Sequence, residues 1–294
     1  MSTETETQCW RRTGGSNLWL GPLLMVGVLA AAPVQAERTI GWETFSAEIG
    51  DGTRLSTGFS LYEGRTIEGR VPEFDGRMFN APQLQLNVGL GERGEAVLGH
   101  TVRRSLSSDH EDSATAGGDP WFYTKLQFMS AGDYRPAGAF VWGVLEPAAN
   151  TPVGADNLAF YAFLVFSRRW AMDLGPIEGE WRADLNVGTG IYESDLRDRQ
   201  DDVFKFNAAL WYLPTTRPWR AGVEYNRDEE VTGRWYDFTQ GTTGRYSRER
   251  LALTGVRETL LGHDAWSAFA TVSTGFVEQS EDWGLAGGVT YRFN

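Results

Sequence analysis

The chain has 294 residues, of which 41% are hydrophobic and 22% charged, with 35 glycines, 12 tryptophans and a formal net charge of -12. This composition is too apolar for a disordered chain, and the negative balance would repel phosphate, which argues against a nucleic-acid binder. The length suits either two domains or one large all-β barrel.

The first element is a targeting segment. Arg11 and Arg12 precede an apolar run from Leu18 to Ala32, followed by "APVQA", so a secretory signal over residues 1–36 is expected, cleaved after Ala36 to leave a domain over 37–294. The run is shorter than the roughly 20 residues that a helix needs to cross a bilayer. Cys9 lies before it and leaves with the signal, so no disulfide framework is expected in the mature chain.

After Ala36 a period-2 pattern recurs, predicting strands at about 53–62, 82–90, 95–105, 121–130, 135–146, 156–169, 176–191, 203–213, 218–227, 246–259, 264–276 and 282–293. The seventh is the most informative. In "GPIEGEWRADLNVGTGIY", Trp181, Ala183, Leu185, Val187 and Ile191 share one face, while Glu178, Glu180, Arg182, Asp184 and Asn186 share the other. An ordinary sandwich strand is about five or six residues long and seldom aims four charges the same way.

Connections alternate between short ones (91–94, 130–135, 171–176, 214–218 and 261–264) and longer polar ones (63–81, 106–120, 147–155, 192–202, 228–245 and 277–281). A transmembrane antiparallel up-and-down β-barrel of about twelve strands predicts that parity. Short turns face the periplasm, long loops face outside, and the even strand count puts both termini in the periplasm. Apolar side chains then meet lipid and polar ones the lumen. Trp170, Trp181, Trp211, Trp219, Trp266, Trp283 and Tyr291 are the candidates for interfacial aromatic girdles. The ending "GGVTYRFN" resembles the terminal strand of outer-membrane proteins, which engages the barrel-assembly machinery, apart from the additional Asn294.

The blocks "GGDPWFYTKLQF", "RPAGAFVWGVLEPAA", "GADNLAFYAFLVFSRRW", "GPIEGEWRADLNVGTGIY", "LTGVRETLLGHDAWSAFATVSTGF" and "SEDWGLAGGVTYRF" occur in that order over about residues 80–293. Together they resemble the MetA-pathway phenol-degradation family, although "EPAANTPVG" stands where that family tends to show a "PTG" turn. The resemblance implies an outer-membrane transporter or channel associated with the uptake of aromatic compounds.

Other motifs have plainer readings. Gly89, Gly91 and Gly94 match a dinucleotide fingerprint by spacing, but an alternating strand follows them instead of a helix, which favours a hairpin turn. Asp109, His110, Glu111, Asp112, Asp195, Asp198, Asp201 and Asp202 gather on two long loops without a recognised ligand spacing, so solvated loops are favoured over a calcium site, and no metal is assigned. The three histidines, His100, His110 and His263, have no hydrolase-like partners in the sequence. No enzyme activity and no cofactor are expected.

The expected function is passive permeation of small, hydrophobic or aromatic solutes across the outer membrane of a Gram-negative bacterium. The partners are outer-membrane lipid and the solute. Structural or adhesive closure is the alternative, and a lipid hydrolase a more distant one. Lys125, Glu178, Glu180, Arg182, Asp184, Asn186, Lys205, Arg220, Glu224 and Arg292 are the candidate pore-lining residues, joined on the lumen face by Gln83, Gln85, Asn87, Glu95, Arg103, Gln127 and Asn207. Tyr123 and Trp211 are read as interior packing that could alternatively stack on a solute. About sixteen residues precede the first strand, too few on this reading to plug a wide pore.

Overall fold

The computed structural model describes residues 40–50, 52–64, 76–107, 113–149, 153–154, 158–192, 201–230, 247–277 and 280–293. Every regular element among them is a strand: β1 (Thr53–Glu63), β2 (Arg77–Gly89), β3 (Gly94–Thr101), β4 (Arg104–Ser107), β5 (Ala114–Ala116), β6 (Trp121–Met129), β7 (Ala137–Leu145), β8 (Ala159–Ala171), β9 (Gly179–Tyr192), β10 (Asp201–Pro214), β11 (Trp219–Glu230), β12 (Ser247–Arg257), β13 (Trp266–Gly275) and β14 (Trp283–Phe293). Neighbours pair antiparallel, and β1 pairs with both β2 and β14, so the sheet closes. The closing seam runs in unbroken register from Thr53↔Phe293 to Glu63↔Trp283.

β3 and β4 both pair with β2, and β5 pairs with β4 as β6 does with β3. Each couple is therefore one interrupted staircase up the wall, and the barrel has twelve crossing strands. The predicted signal and most of both acidic loops lie outside the described residues.

Alternation fixes the two faces. On β9, Arg182, Asp184 and Asn186 are buried while Leu185 and Ile191 are exposed. The same division recurs around the barrel, with Leu55, Leu84, Leu164, Phe204, Leu253 and Leu285 exposed outside. An apolar exterior around a polar interior is the inverse of a water-soluble protein. With every backbone group paired by closure, it is the arrangement a strand protein needs in hydrocarbon. This is an outer-membrane-type β-barrel.

Two regions depart from the expected pattern. β2 begins at Arg77, not at residue 82, because Pro82 sits inside the strand. Asn80 and Gln83 both turn inward, three residues apart, so the alternation changes phase there, and Pro82 still contributes its carbonyl to the Val102 N–H. The facing strand changes phase at the same height. Thr101 and Arg104 point inward, whereas Arg103, expected in the lumen, is exposed. Trp211, a candidate girdle residue, shares the inward face of β10 with Lys205 and Asn207 and is fully buried. Trp170, Trp266 and Trp283 do lie outside, close to strand ends.

Candidate functional site: a plugged lumen

The interior is not an open pore. Residues 40–50 run through it, contrary to the expectation that so short a segment could not plug the barrel. Extended backbone spans about 3.3 Å per residue, so these eleven residues reach up to roughly 36 Å, enough to traverse a lumen already narrowed by its own side chains. Trp42, Thr44, Phe45, Ser46 and Ala47 are all buried.

The plug first meets a charged wall. Glu43 receives Arg248 Nη2 at 2.8 Å and Arg250 Nη1 at 3.3 Å. Glu224 accepts from the backbone N–H groups of Glu43 (2.8 Å) and Thr44, while Arg250 donates to the Gly41 carbonyl. Behind them Glu281 pairs with Arg250 at 2.8 Å and Arg248 at 3.3 Å. Gly41 has φ +83°, and a Cβ there would come within 2.6 Å of the Ala286 Cβ, so this turn requires glycine.

The chain then crosses to an apolar wall. Asn186 clasps Phe45 twice, its Oδ1 accepting from the Phe45 N–H (2.7 Å) and its Nδ2 donating to the Phe45 carbonyl (2.8 Å). Phe45 packs on Tyr123 and Phe163, within a cluster that includes Ala47, Val141, Tyr161 and Val165. Ser167 Oγ accepts from the Ala47 N–H, and Gln127 donates to the Ala47 carbonyl. Lys125 directs its ammonium to Glu95 (2.7 Å) and to the carbonyls of Ser46 (3.2 Å) and Glu48 (2.7 Å), which uses all three donors.

At the short-turn mouth, Arg169 grips the Glu48 carboxylate with Nε at 2.6 Å and Nη2 at 2.5 Å, while Arg182 Nη1 stands 3.9 Å away. Burial alone would raise the proton affinity of Glu48. The Arg169 hydrogen bond and the charges of Arg182, Arg169 and Lys125 outweigh it and hold the carboxyl below its ordinary value.

The candidate lumen residues therefore divide. Lys125, Asn186 and Glu224 bind the plug directly. Arg182 pairs with Asp184 at 2.9 Å, Arg220 with Glu258 at 2.9 Å and Lys205 with Asp228 at 3.1 Å. The Arg182 and Arg220 guanidinium groups lie 5.7 and 5.3 Å from the Trp211 ring centroid, and that ring also packs at a 46° tilt against Trp42, with centroids 4.5 Å apart. Trp211 is thus interior packing, one of the two lumen readings it was given, and not the girdle residue it was also expected to be. Glu180 sits part-exposed beside Arg169 at 3.4 Å, and Arg292 shares a water-sized cavity with Arg54 and Glu258.

Glu178 is not a lumen residue. It is exposed before β9 begins, because the strand starts at Gly179 and not at residue 176.

On the long-loop side of the plug a cavity of about 190 Å³ remains. Trp42, Glu43 and Phe45 border it together with Tyr62, Tyr123, Tyr161, Phe163, Lys205, Asn207 and Asp228. Lys205 Nζ lies 5.5 Å from the Tyr161 ring centroid. Among the described residues no group of three or more His, Cys, Asp or Glu is arranged to hold a metal.

No family model matches the sequence. No curated protein matches it either. Among solved structures, the chain is similar to the translocator domain of autotransporter NalP from Neisseria meningitidis, at 16% identity and a TM-score of 0.45, over 83% of this chain and 89% of that one. It is also similar to the beta domain of the Bordetella autotransporter Brka, at 12% identity and a TM-score of 0.43, over 82% of this chain and 98% of that one.

Proposed function

We propose that the protein is an outer-membrane conduit for small hydrophobic or aromatic solutes, closed in this structure by residues 40–50. The observation that carries the reading is the aromatic cavity above the plug. Tyr62, Trp42, Phe45, Tyr123, Tyr161 and Phe163 give a planar solute several rings to stack on, and Lys205 and Asp228 give its polar group a partner. Permeation would be passive through the lumen and would require the plug to shift.

In this reading the barrel lies in the outer membrane of a Gram-negative bacterium, delivered by the signal over residues 1–36 and inserted by the barrel-assembly machinery, with short turns and both termini periplasmic. A closed structural barrel is the second reading, favoured by the bonding of the plug to both walls.

Single-channel conductance of the refolded protein, with phenol or toluate added on the long-loop side, separates the two. Discrete steps that these solutes block or modulate support the conduit. A folded barrel that stays silent even with a loosened plug supports structural closure.

A further inference from the structure

We propose that the Arg169–Arg182 clamp at the short-turn mouth is a binding site for a small carboxylate solute, occupied in this structure by the plug's own Glu48. The site lies on the conduit proposed above and would act as its release point.

The geometry is that of carboxylate recognition. Two parallel N–H groups of Arg169 meet the two oxygens of Glu48, and Arg182 adds charge from the adjacent strand. A guanidinium fork matches any carboxylate in this way, whether tethered or diffusing. The Arg169 and Glu48 side chains keep 31% and 24% of their exposure, so water and solute reach them. By contrast, Arg248 and Arg250, which hold Glu43, keep only 2% and 1%.

Exchange also leaves no buried cation stranded. When Glu48 withdraws, Arg182 retains Asp184 at 2.9 Å and Arg169 retains Glu180 at 3.4 Å. The clamp is therefore stable with a solute carboxylate in place of Glu48, and the plug loses its side-chain anchor at the mouth, leaving the Lys125 and Gln127 bonds to its backbone carbonyls. A diffusing competitor faces a tethered rival whose effective concentration is about millimolar, which sets the concentration range for competition.

Thiol labelling tests the site without relying on conduction. In the full chain carrying Cys9→Ser and Ser46→Cys, the buried position 46 should react slowly with a maleimide. Benzoate at about millimolar concentration should accelerate labelling several-fold and saturably, whereas benzyl alcohol, or chloride at equal ionic strength, should not. Arg169→Lys should raise the basal rate and abolish the benzoate response, since Lys lacks the fork. Thr44→Cys in place of Ser46→Cys provides a second reporter if the first disturbs folding.

Equal acceleration by chloride and benzoate would reduce the effect to screening and overturn the proposal, as would no acceleration by benzoate. A barrel that stays silent in bilayers even with a loosened plug, but labels in a benzoate-dependent way, refutes the conduit and leaves the carboxylate site standing. A conducting barrel whose labelling ignores benzoate does the reverse.

Discussion

The two walls that the plug touches have opposite chemistry. β7 and β8 present Ala139, Val141, Tyr161, Phe163 and Val165 to the lumen, whereas β11 and β12 present Glu224, Asn226, Asp228, Arg248 and Arg250. The plug answers each in kind, with Phe45 and Ala47 against the first and the Glu43 carboxylate against the second. Closure of the lumen is therefore a matched fit of an amphipathic segment between unlike surfaces, and each surface should fail differently when altered.

The largest effect is expected on the charged wall. Arg250→Ala removes a cation from Glu224, Glu281 and Glu43, two of which are fully buried. Leaving such carboxylates short of a partner costs about 3–5 kcal/mol, which urea unfolding of the refolded barrel would read. A loss under about 1 kcal/mol would mean that this network is wetter than its burial indicates.

On the apolar wall, Phe45→Ala should cost about 3 kcal/mol, the low end for a buried phenylalanine, because the cavity beside it lets water fill the space. The Arg250 variant should lose stability sharply, while the Phe45 variant should mainly enlarge the cavity and loosen the plug. Equal labelling of a cysteine at position 46 in both would erase the distinction.

The smallest change in stability belongs to Glu48→Gln, at most about 1 kcal/mol, since the pair is part-exposed at the mouth. Its pH dependence has a definite sign. The Glu48 carboxyl is held below its ordinary value by Arg169, Arg182 and Lys125, despite nearby Glu95, Glu180 and Asp184. Its contribution is complete above the unfolded value of about 4.3 and is lost only as the pH falls through the depressed folded value. The stability difference between the wild type and Glu48→Gln in urea unfolding should thus be flat from pH 7 to 5 and shrink only below the ordinary carboxylate range. A loss of that difference already at pH 6 would contradict the clamp.

Much of the barrel was legible in the sequence because alternation is a local signal. The faces of β9 and β14 follow from it residue by residue, as do those of β10 apart from the girdle role assigned to Trp211. The change of phase around Asn80–Gln83 and Thr101–Arg104 was not legible, since an irregularity on each of two strands depends on their pairing. Arg103 was misplaced for that reason.

The apolar lumen wall left a trace that a one-face rule overlooks. "AFYAFLVF" is apolar in both phases, as a strand must be when lipid lies on one side and packed protein on the other. The plug was missed because its length was compared with an empty pore, and long side chains had already filled part of that space. Trp42, Glu43, Phe45 and Glu48 stand close together in "GWETFSAE" without a period-2 pattern, and nothing local says that their partners lie across the barrel.

The most direct test of the central claim, that residues 40–50 close the lumen, is planar-bilayer conductance of the wild type beside Glu43→Gln/Glu48→Gln. The double variant keeps the full chain, and Arg248 and Arg250 retain Asp228, Glu224 and Glu281 as partners. The account predicts a wild type that is closed most of the time and a variant with long-lived open steps. Equally open traces from both proteins would contradict it.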